Sequence, residues 1–425
     1  MKIGRRSAVA GLAALAVAAA ATGCSTKAKN DTGSGSSSGG TAAGSVKTGR
    51  GVTADTITIA ELTDLTGIFA ALGKNITQAN QMYWDQKNAA GGVCGRKVNL
   101  IVKDHGYNVQ TAVSLYGQVH DQVLAIEQLI GSQIVTALSP QILQDKMLTA
   151  PAAWATSLLQ NPFVQITGAT YAVEMINGVD YLVKNKGLKS GDKLGVIYQD
   201  SEYGANGANG ANGAKYAAQK NGLTVVEQKI KASDTDMTAP ITALQAAGVK
   251  AIALTSAPTQ TASVASLDKA NGLNVPIIGN NPDFAPSLLT TQSKGALEEL
   301  FYQVQSGVPF SAPEAKDVAA LFKQKFPNET PSSGVPYGYA VADSYFQTLD
   351  KACKAGDLTP DGVQNAHKQI TNLDTKGLVA TLDLSKPGKS QTKQVYIVKP
   401  SSTDEGGLAV VQGLQASDNA KSYDG

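Results

Sequence analysis

Residues 57–104 constrain the fold more than any other part of the chain, because the period of their apolar pattern changes twice. β-branched residues open the stretch as a short strand, which ends in a polar turn at residues 63–67. From 71 to 90 apolar residues recur at every third or fourth position, and residues 98–102 form a second apolar run. Strand, helix and strand without a tight hairpin form a βαβ unit, which predicts a parallel sheet with a right-handed crossover.

The same alternation continues and forms two series. The first series has further strands predicted at 124–130, 147–150 and 163–166, with helices at 111–123 and 134–146. The second has strands predicted at 193–199, 223–226, 251–255, 275–278 and 300–304, with helices at 172–186, 237–247 and 259–271. Helices at 313–326 and 337–355, extended pieces at 378–384 and 394–398 and a polar tail complete the chain. The pattern predicts an α/β fold with doubly wound lobes.

One helix of the second series is interrupted by a repeat in which Gly, Ala and Asn recur every three residues from 204. Each Gly inside a helix costs up to about 1 kcal/mol relative to Ala, so we expect this helix to begin late or to fray. The repeat lacks the Lys-Ser/Thr pair of a phosphate-binding loop, which argues against a nucleotide site.

The first 23 residues have the pattern of a signal peptide: a basic start, then an uncharged alanine-rich run too short to span a membrane comfortably. The run ends in Ala-Thr-Gly-Cys, which is similar to a bacterial lipobox and predicts lipidation at Cys24. An ordinary cleaved signal with an incidental Cys is the alternative, and two arginines leave Sec and twin-arginine export both open. Residues 24–53 are rich in Gly, Ser and Thr, which predicts a flexible tether.

Charge and cysteine usage narrow the function. The chain has 36 Lys and Arg against 34 Asp and Glu, a balance that does not favour nucleic acid as a partner. The three histidines are scattered, so neither a metal site nor a cofactor is predicted. Cys94 and Cys353 could form a disulfide if the fold brings their helix ends together, and two free thiols are the alternative.

Five segments, in order, resemble the type I periplasmic solute-binding proteins, in particular the branched-chain amino acid branch that serves ABC importers. The matching segments are TITIAELTDLTGIFAALGK, NAAGGVCGRKVNLIVKD, KLGVIYQDSEYG, VPIIGNN and GYAVADSYFQTLDKA. The resemblance covers about residues 54–400. It implies two lobes joined by a three-crossover hinge, with a ligand cleft between them that closes on a small molecule.

By matching position, residues 54–166 plus 305–383 form lobe 1, residues 167–304 plus 384–412 form lobe 2, and residues 413–425 are a polar tail. Both remaining cysteines then fall in lobe 1, which supports their pairing. The resemblance also implies a monomer that is exported, is held by its lipid at the outer face of the bacterial cytoplasmic membrane, and delivers its ligand to an ABC permease.

The resemblance assigns ligand contacts to turns of both lobes. Phe69 stands where relatives often have an aromatic residue that packs on the ligand, although a local core role is the alternative. Relatives hold a ligand carboxylate with hydroxyls and backbone N–H groups at a helix N-terminus. In this chain the corresponding turn and helix start contain Ser132, Gln133 and Thr136. Tyr203 matches a family tyrosine that reaches the ligand.

Two further turns depart from the amino-acid-binding pattern. In the turn that contains Ala152, Ala153 and Trp154, relatives have Thr in place of the tryptophan. Asn281 stands where relatives bind the ligand ammonium with an acid, and Asp283 follows two residues later. An amide cannot neutralise an ammonium, and a buried unpaired charge costs several kcal/mol. We therefore expect a ligand other than a standard branched-chain amino acid: an amino-acid-like, amide or aromatic solute.

Other functions are less consistent with the sequence. It shows no Gly-x-Ser-x-Gly elbow, metal-ligand spacing or dinucleotide fingerprint, so a hydrolase or another enzyme is not expected. A binding protein that feeds a sensory receptor rather than an importer would have the same sequence features, and that alternative stays open.

Overall fold

The computed structural model describes residues 46–204 and 210–424. The predicted signal peptide, Cys24 and most of the predicted tether lie outside these residues. The strands are β1 (Lys47–Thr48), β2 (Thr56–Thr63), β3 (Lys97–Asp104), β4 (Ala125–Ile130), β5 (Leu148–Ala152), β6 (Lys193–Gln199), β7 (Thr224–Ile230), β8 (Ala251–Thr255), β9 (Ile277–Gly279), β10 (Phe301–Gln305), β11 (Asp357–Leu358), β12 (Val395–Pro400) and β13 (Leu408–Gln415).

The α-helices alternate with these strands, as the apolar periodicity predicts. They are α1 (Ala70–Ala89), α2 (Val109–Val119), α3 (Ser132–Gln144), α4 (Tyr171–Asn185), α5 (Gly210–Lys220), α6 (Thr238–Ala247), α7 (Pro258–Ala270), α8 (Lys294–Leu300), α9 (Lys316–Lys325), α10 (Gly334–Lys354), α11 (Pro360–His367) and α12 (Asp418–Ser422). α5 begins late, as expected, at Gly210 within the Gly-rich repeat, and the preceding part of that repeat, residues 205–209, lies outside the described residues.

Two central sheets organise these elements. The first has the order β3-β2-β4-β5 and is entirely parallel. The second has the order β13-β12-β10-β9-β8-β6-β7; β6 to β10 are parallel, whereas β12 and β13 run antiparallel at one edge. The α/β fold with parallel-rich sheets is therefore confirmed.

We call the part of the molecule built on the first sheet the first half, and the part built on the second sheet the second half. The chain passes between these halves three times. It leaves the first sheet after β5 and builds the second sheet from β6 to β10. It then returns through α9, α10 and α11, of which α10 packs against α1, and enters the second sheet again at β12. The carboxyl ends of the parallel strands carry the turns in which ligand sites of such sheets form. The predicted lobe boundaries stay a prediction.

Several predicted segments differ from the structure. Residues 163–166 form no strand of the sheet and contribute a single bridge, between Thr149 and Val164. Residues 378–384 make isolated bridges only. The prediction of a polar tail at residues 413–425 is wrong in part, because β13 extends to Gln415 and α12 follows it. β13 is an edge strand in which only Leu408 is buried; its short apolar run, residues 408–411, includes two exposed valines and is followed directly by glutamine and glycine.

The predicted tether is also wrong at its end. β1 pairs in parallel with β11, and Arg50 donates from Nε to the carbonyl oxygen of Val123 at 3.0 Å. The same guanidinium donates to the carbonyl oxygen of Asp145 at 2.5 Å. These contacts tie residues 47–50 to the folded body, and composition alone does not reveal them.

Cys94 and Cys353 are brought together at the ends of two packed helices. Cys94 follows α1, Cys353 lies in the last turn of α10, and their Cα atoms are 6.1 Å apart. That separation is within the range of protein disulfides.

Candidate ligand cavity

A cavity of about 250 Å³ lies where the turns of the first sheet meet elements of the second half. The first half contributes the turns that follow β2, β3 and β4, together with the end of β5. The second half contributes the start of α4 and the turns after β6 and β9. The lining residues are Phe69, Leu72, Tyr107, Ile130, Gly131, Ser132, Ala152, Tyr171, Tyr203 and Pro282.

Four aromatic rings form most of this lining. Phe69 meets Tyr107 edge to face with ring centroids 4.9 Å apart, and Tyr171 meets Tyr203 at 4.8 Å. Phe69 and Tyr203 face each other across the two halves at 6.3 Å. Aromatic pairs at such distances pack favourably, and together they give the cavity an apolar wall on both sides.

The turn after β2 fixes the position of Phe69. The carboxylate of Asp64 accepts hydrogen bonds from the backbone N–H groups of Gly67 at 2.6 Å and Phe69 at 3.0 Å. This Asx-type turn closes the loop locally and leads directly into α1. The Phe69 ring is 6% exposed and lines the cavity.

Ser132 is the polar side chain of the first half that faces the cavity. It is the first residue of α3 and is 1% exposed, and its hydroxyl has no hydrogen-bond partner. The N–H groups of a first helical turn have no intrahelical acceptor, so they and the hydroxyl form an anion-binding position. Gly131 precedes it with φ +103°, and a Cβ there would lie 2.8 Å from Cε2 of Tyr107. Only glycine fits at this turn.

The hydroxyl that Tyr203 brings from the second half is bonded within the protein. The Tyr203 hydroxyl donates to Oδ1 of Asp283 at 2.6 Å. The two carboxylate oxygens of Asp283 also accept from the backbone N–H groups of Ser256 and Asn280, each at 3.1 Å. Asp283 is completely buried, and burial raises its pKa well above its usual range. It lies behind Tyr203 and does not line the cavity.

A second buried acid, Glu174, supports the adjacent turn. Its Oε2 accepts from Nδ2 of Asn280 and from the backbone N–H of Asn281, each at 3.2 Å. Burial raises the pKa of Glu174 well above the usual range. The carboxyl groups of Asp283 and Glu174 therefore hold the turn after β9, and both lie behind the lining residues.

The structure brings four of the predicted ligand-binding residues to the cavity: Phe69, Ser132, Ala152 and Tyr203. Asn281 lines a neighbouring cavity of about 370 Å³. Gln133 and Ala153 do not line either cavity. Thr136, one turn beyond Ser132 in α3, is exposed and lines neither cavity.

Trp154 also lies behind the lining instead of forming it. Its side chain is fully buried between the rings of Tyr171 and Tyr337, at centroid distances of 5.9 and 5.3 Å. Its indole N–H donates to the carbonyl oxygen of Thr167 at 3.3 Å. In this structure Trp154 therefore supports Tyr171, and Tyr171 lines the cavity.

Sequence reasoning missed several lining residues, above all Tyr107 and Tyr171. Tyr107 follows β3 in a turn with φ +59°, an uncommon conformation for a residue with a side chain. Its backbone N–H donates to Nδ1 of His105 at 3.0 Å, which fixes that turn. Tyr171 is the first residue of α4. An aromatic residue directly after a predicted strand or at a helix start was the available signal for both.

Among the described residues no group of three or more His, Cys, Asp or Glu is arranged to hold a metal ion. Within the same residues, no helix combines the length and apolar character needed to cross a membrane.

A model of the periplasmic binding protein family matches residues 56–405. A fatty acid ABC transporter substrate-binding protein from Thermomonospora curvata is 43% identical, with a TM-score of 0.86 over 89% of this chain and 97% of that one. A branched-chain amino acid ABC transporter protein from Thermus thermophilus, with bound valine, is 18% identical, with a TM-score of 0.75 over 88% of this chain and 98% of that one. The second likeness concerns the fold alone.

A further relative is a Leu/Ile/Val-binding protein homologue 3 from Brucella melitensis biotype 1. It is 29% identical over 203 residues, which are 46% of this chain and 53% of that relative. The matched region thus spans about half of that protein's length. The chain belongs to the periplasmic binding protein family, and the predicted class, an extracytoplasmic solute-binding protein of the type found with ABC transporters, is confirmed.

Proposed function

We propose that this protein captures a small apolar carboxylate, of the fatty-acid type and without an ammonium group, and delivers it to an ABC importer. The observation that carries the proposal is the unpaired, buried hydroxyl of Ser132 at the start of α3, facing a cavity that is otherwise lined by apolar and aromatic surface. A carboxylate there would accept from the hydroxyl and from first-turn N–H groups.

None of the described residues that line the cavity carries a carboxyl group, which argues against an amino acid ligand. An ammonium needs a carboxylate or several acceptors once it is removed from water. Asp283 already accepts three hydrogen bonds, and Glu174 lies behind the turn that it supports. The fatty acid description of the Thermomonospora curvata relative, at 43% identity, supports the same ligand class. This proposal replaces the amino-acid-like, amide or aromatic solute expected from the sequence with an apolar carboxylic acid.

The test is a thermal-shift screen of the purified protein against monocarboxylates, aromatic acids, amides and amino acids. A ligand that binds the folded state raises its stability by RT ln(1 + [L]/Kd). Hexanoate or octanoate should raise the unfolding midpoint, and leucine, isoleucine and valine at the same concentration should not. A screen in which only amino acids raise the midpoint contradicts the proposal.

We further propose that Cys24 carries a lipid that holds a monomeric, non-catalytic binding protein at the outer face of the cytoplasmic membrane, near its permease. Cys24→Ser should then release the protein from the membrane fraction.

We also propose that Cys94 and Cys353 form a disulfide, since their Cα separation permits it. Peptide mapping without reduction tests that bond.

A further inference from the structure

We propose that the cavity beside the ligand cavity receives the distal part of a ligand chain, so that the protein selects medium-chain carboxylates over the shortest ones. This inference rests on the proposed function, because it assigns the carboxylate to Ser132 and asks where the remaining chain lies. The neighbouring cavity has a volume of about 370 Å³, against about 250 Å³ for the first. The first cavity is the smaller of the two, so a longer chain needs the space beside it.

The two cavities are adjacent, because three residues line both: Phe69, Leu72 and Pro282. Phe69 and Pro282 are buried, whereas Leu72 is half-buried in the first turn of α1. Leucine can change rotamer without displacing backbone, so Leu72 is the movable part of this partition. A chain that starts at Ser132 would pass Leu72 to enter the second cavity.

The second cavity has the chemistry of a hydrocarbon site. Its lining is mainly aliphatic, aromatic and proline surface, and no charged side chain is part of it. The polar side chains present, Asn281, Ser332 and Ser333, are neutral. Ile68 lines it at its outer side and is 46% exposed, which is unusual for an isoleucine in a soluble protein. Ala71 is also exposed there, so the cavity opens to solvent and can accommodate chains of different length.

Calorimetric titration with butanoate, hexanoate, octanoate and decanoate tests the inference. Each methylene that enters an apolar site should improve affinity by about fourfold, and this rise should continue beyond hexanoate in the unmodified protein. Ala285→Phe places a ring in the second cavity only. It should weaken decanoate binding by about tenfold and leave butanoate binding within about twofold of the original value.

Ser287→Phe is the matched control, because it adds the same ring at an exposed position two residues further on that lines neither cavity. Ala71→Phe fills the cavity from the opposite wall at an exposed helical position, and should reproduce the effect if Ala285→Phe does not fold. An affinity that stops rising at hexanoate, or equal losses for butanoate and decanoate, would overturn this inference while the proposed function stands. If no monocarboxylate binds the unmodified protein, the proposed function itself fails.

Discussion

Each half contributes one wall to the cavity. The two walls differ in whether their polar side chains are already hydrogen-bonded within the protein. Ser132 in the first half is buried with an unpaired hydroxyl. In the second half, the Tyr203 hydroxyl donates to Asp283, and that carboxyl accepts two further backbone hydrogen bonds. Recognition of a charged group is therefore assigned to the first half, and the second half supplies apolar surface on a rigid support.

The buried acids of the two halves differ in their distance from the cavity. Glu174 and Asp283 lie directly behind the cavity wall, where they hold the turn after β9. Glu61 and Glu127 lie in the core of the first half, where Asn80 and Trp84 of α1 donate to them at 2.8 and 2.9 Å. The first pair positions the site, whereas the second pair should affect stability and leave the site alone.

The largest effect is expected at Trp154, which the structure places behind Tyr171. Trp154→Ala should lower the free energy of unfolding by about 3–5 kcal/mol, because it opens a large cavity in a buried aromatic cluster. Chemical denaturation measures this loss. Trp154→Phe is the control, since it keeps a ring there and should cost less. A Trp154→Ala variant that loses carboxylate binding with unchanged stability would make this residue a wall after all.

A smaller but pH-dependent effect is expected from the buried pair of the first half. Burial raises the pKa of Glu61 from 4.5 to about 7, and burial together with the charge of Glu61 raises that of Glu127. The folded state thus binds a proton more tightly than the unfolded state. The contribution of Glu61 to stability is full below about pH 4.5 and is lost as the pH rises through about 7.

Denaturation at several pH values, comparing the unmodified protein with Glu61→Gln, isolates this contribution from other titrating groups. A shift of about two pKa units corresponds to roughly 3 kcal/mol, so the variant should be relatively more stable at about pH 8 than at about pH 5. Glu314→Gln at an exposed position should leave the pH profile unchanged. Parallel pH profiles for Glu61→Gln and the unmodified protein would remove Glu61 as the cause.

Ser132 and Thr136, two hydroxyl residues one turn apart in α3, test which residue of the first half binds the anion. Ser132→Ala should weaken carboxylate binding by about 10- to 100-fold, the value of a hydrogen bond to a charged group. Its effect on stability should be small, because the buried hydroxyl has no partner. Thr136→Ala, one turn further and exposed, should change neither quantity. Equal losses of affinity in both variants would refute the assignment.

The smallest effect on binding is expected in the second wall. Asp283→Asn keeps one acceptor oxygen but turns an NH₂ group towards the backbone N–H of Asn280, so it should cost about 1 kcal/mol of stability. Carboxylate affinity should stay within about threefold of the original value. Asp236→Asn, at an exposed position, serves as the control. A tenfold loss of affinity without a loss of stability would instead place Asp283 on the ligand.

Much of the fold could be predicted from the sequence, because the spacing of apolar residues distinguishes central strands from amphipathic helices. The strand at 193–199 was predicted with the bounds that the structure has. β13 was missed because its apolar run is only four residues long and its second half, residues 412–415, has no apolar alternation that marks a buried face. The pairing of β1 with β11 depends on backbone contacts, which leave little trace in composition.

The site was less predictable, because a matching position in a family does not say whether a side chain lines the cavity or lies behind the lining. Phe69, Ser132 and Tyr203 line the cavity as the resemblance implied, yet whether they bind ligand stays a prediction. Trp154 occupies a position that contacts the ligand in relatives but lies behind the lining here, and so does Asp283, two residues after another such position. Tyr107 and Tyr171 reach the cavity through a left-handed turn and a helix start, and neither has a periodic signal.

Calorimetric comparison of leucine with 4-methylpentanoate tests the central claim most directly, because the two molecules share a carboxylate and a side chain and differ in the amino group. If the first wall binds the carboxylate and the second wall has no free acid for an ammonium, 4-methylpentanoate should bind at least about tenfold more tightly than leucine. Tighter binding of leucine would contradict the account, because it would require an ammonium partner that the described cavity does not offer.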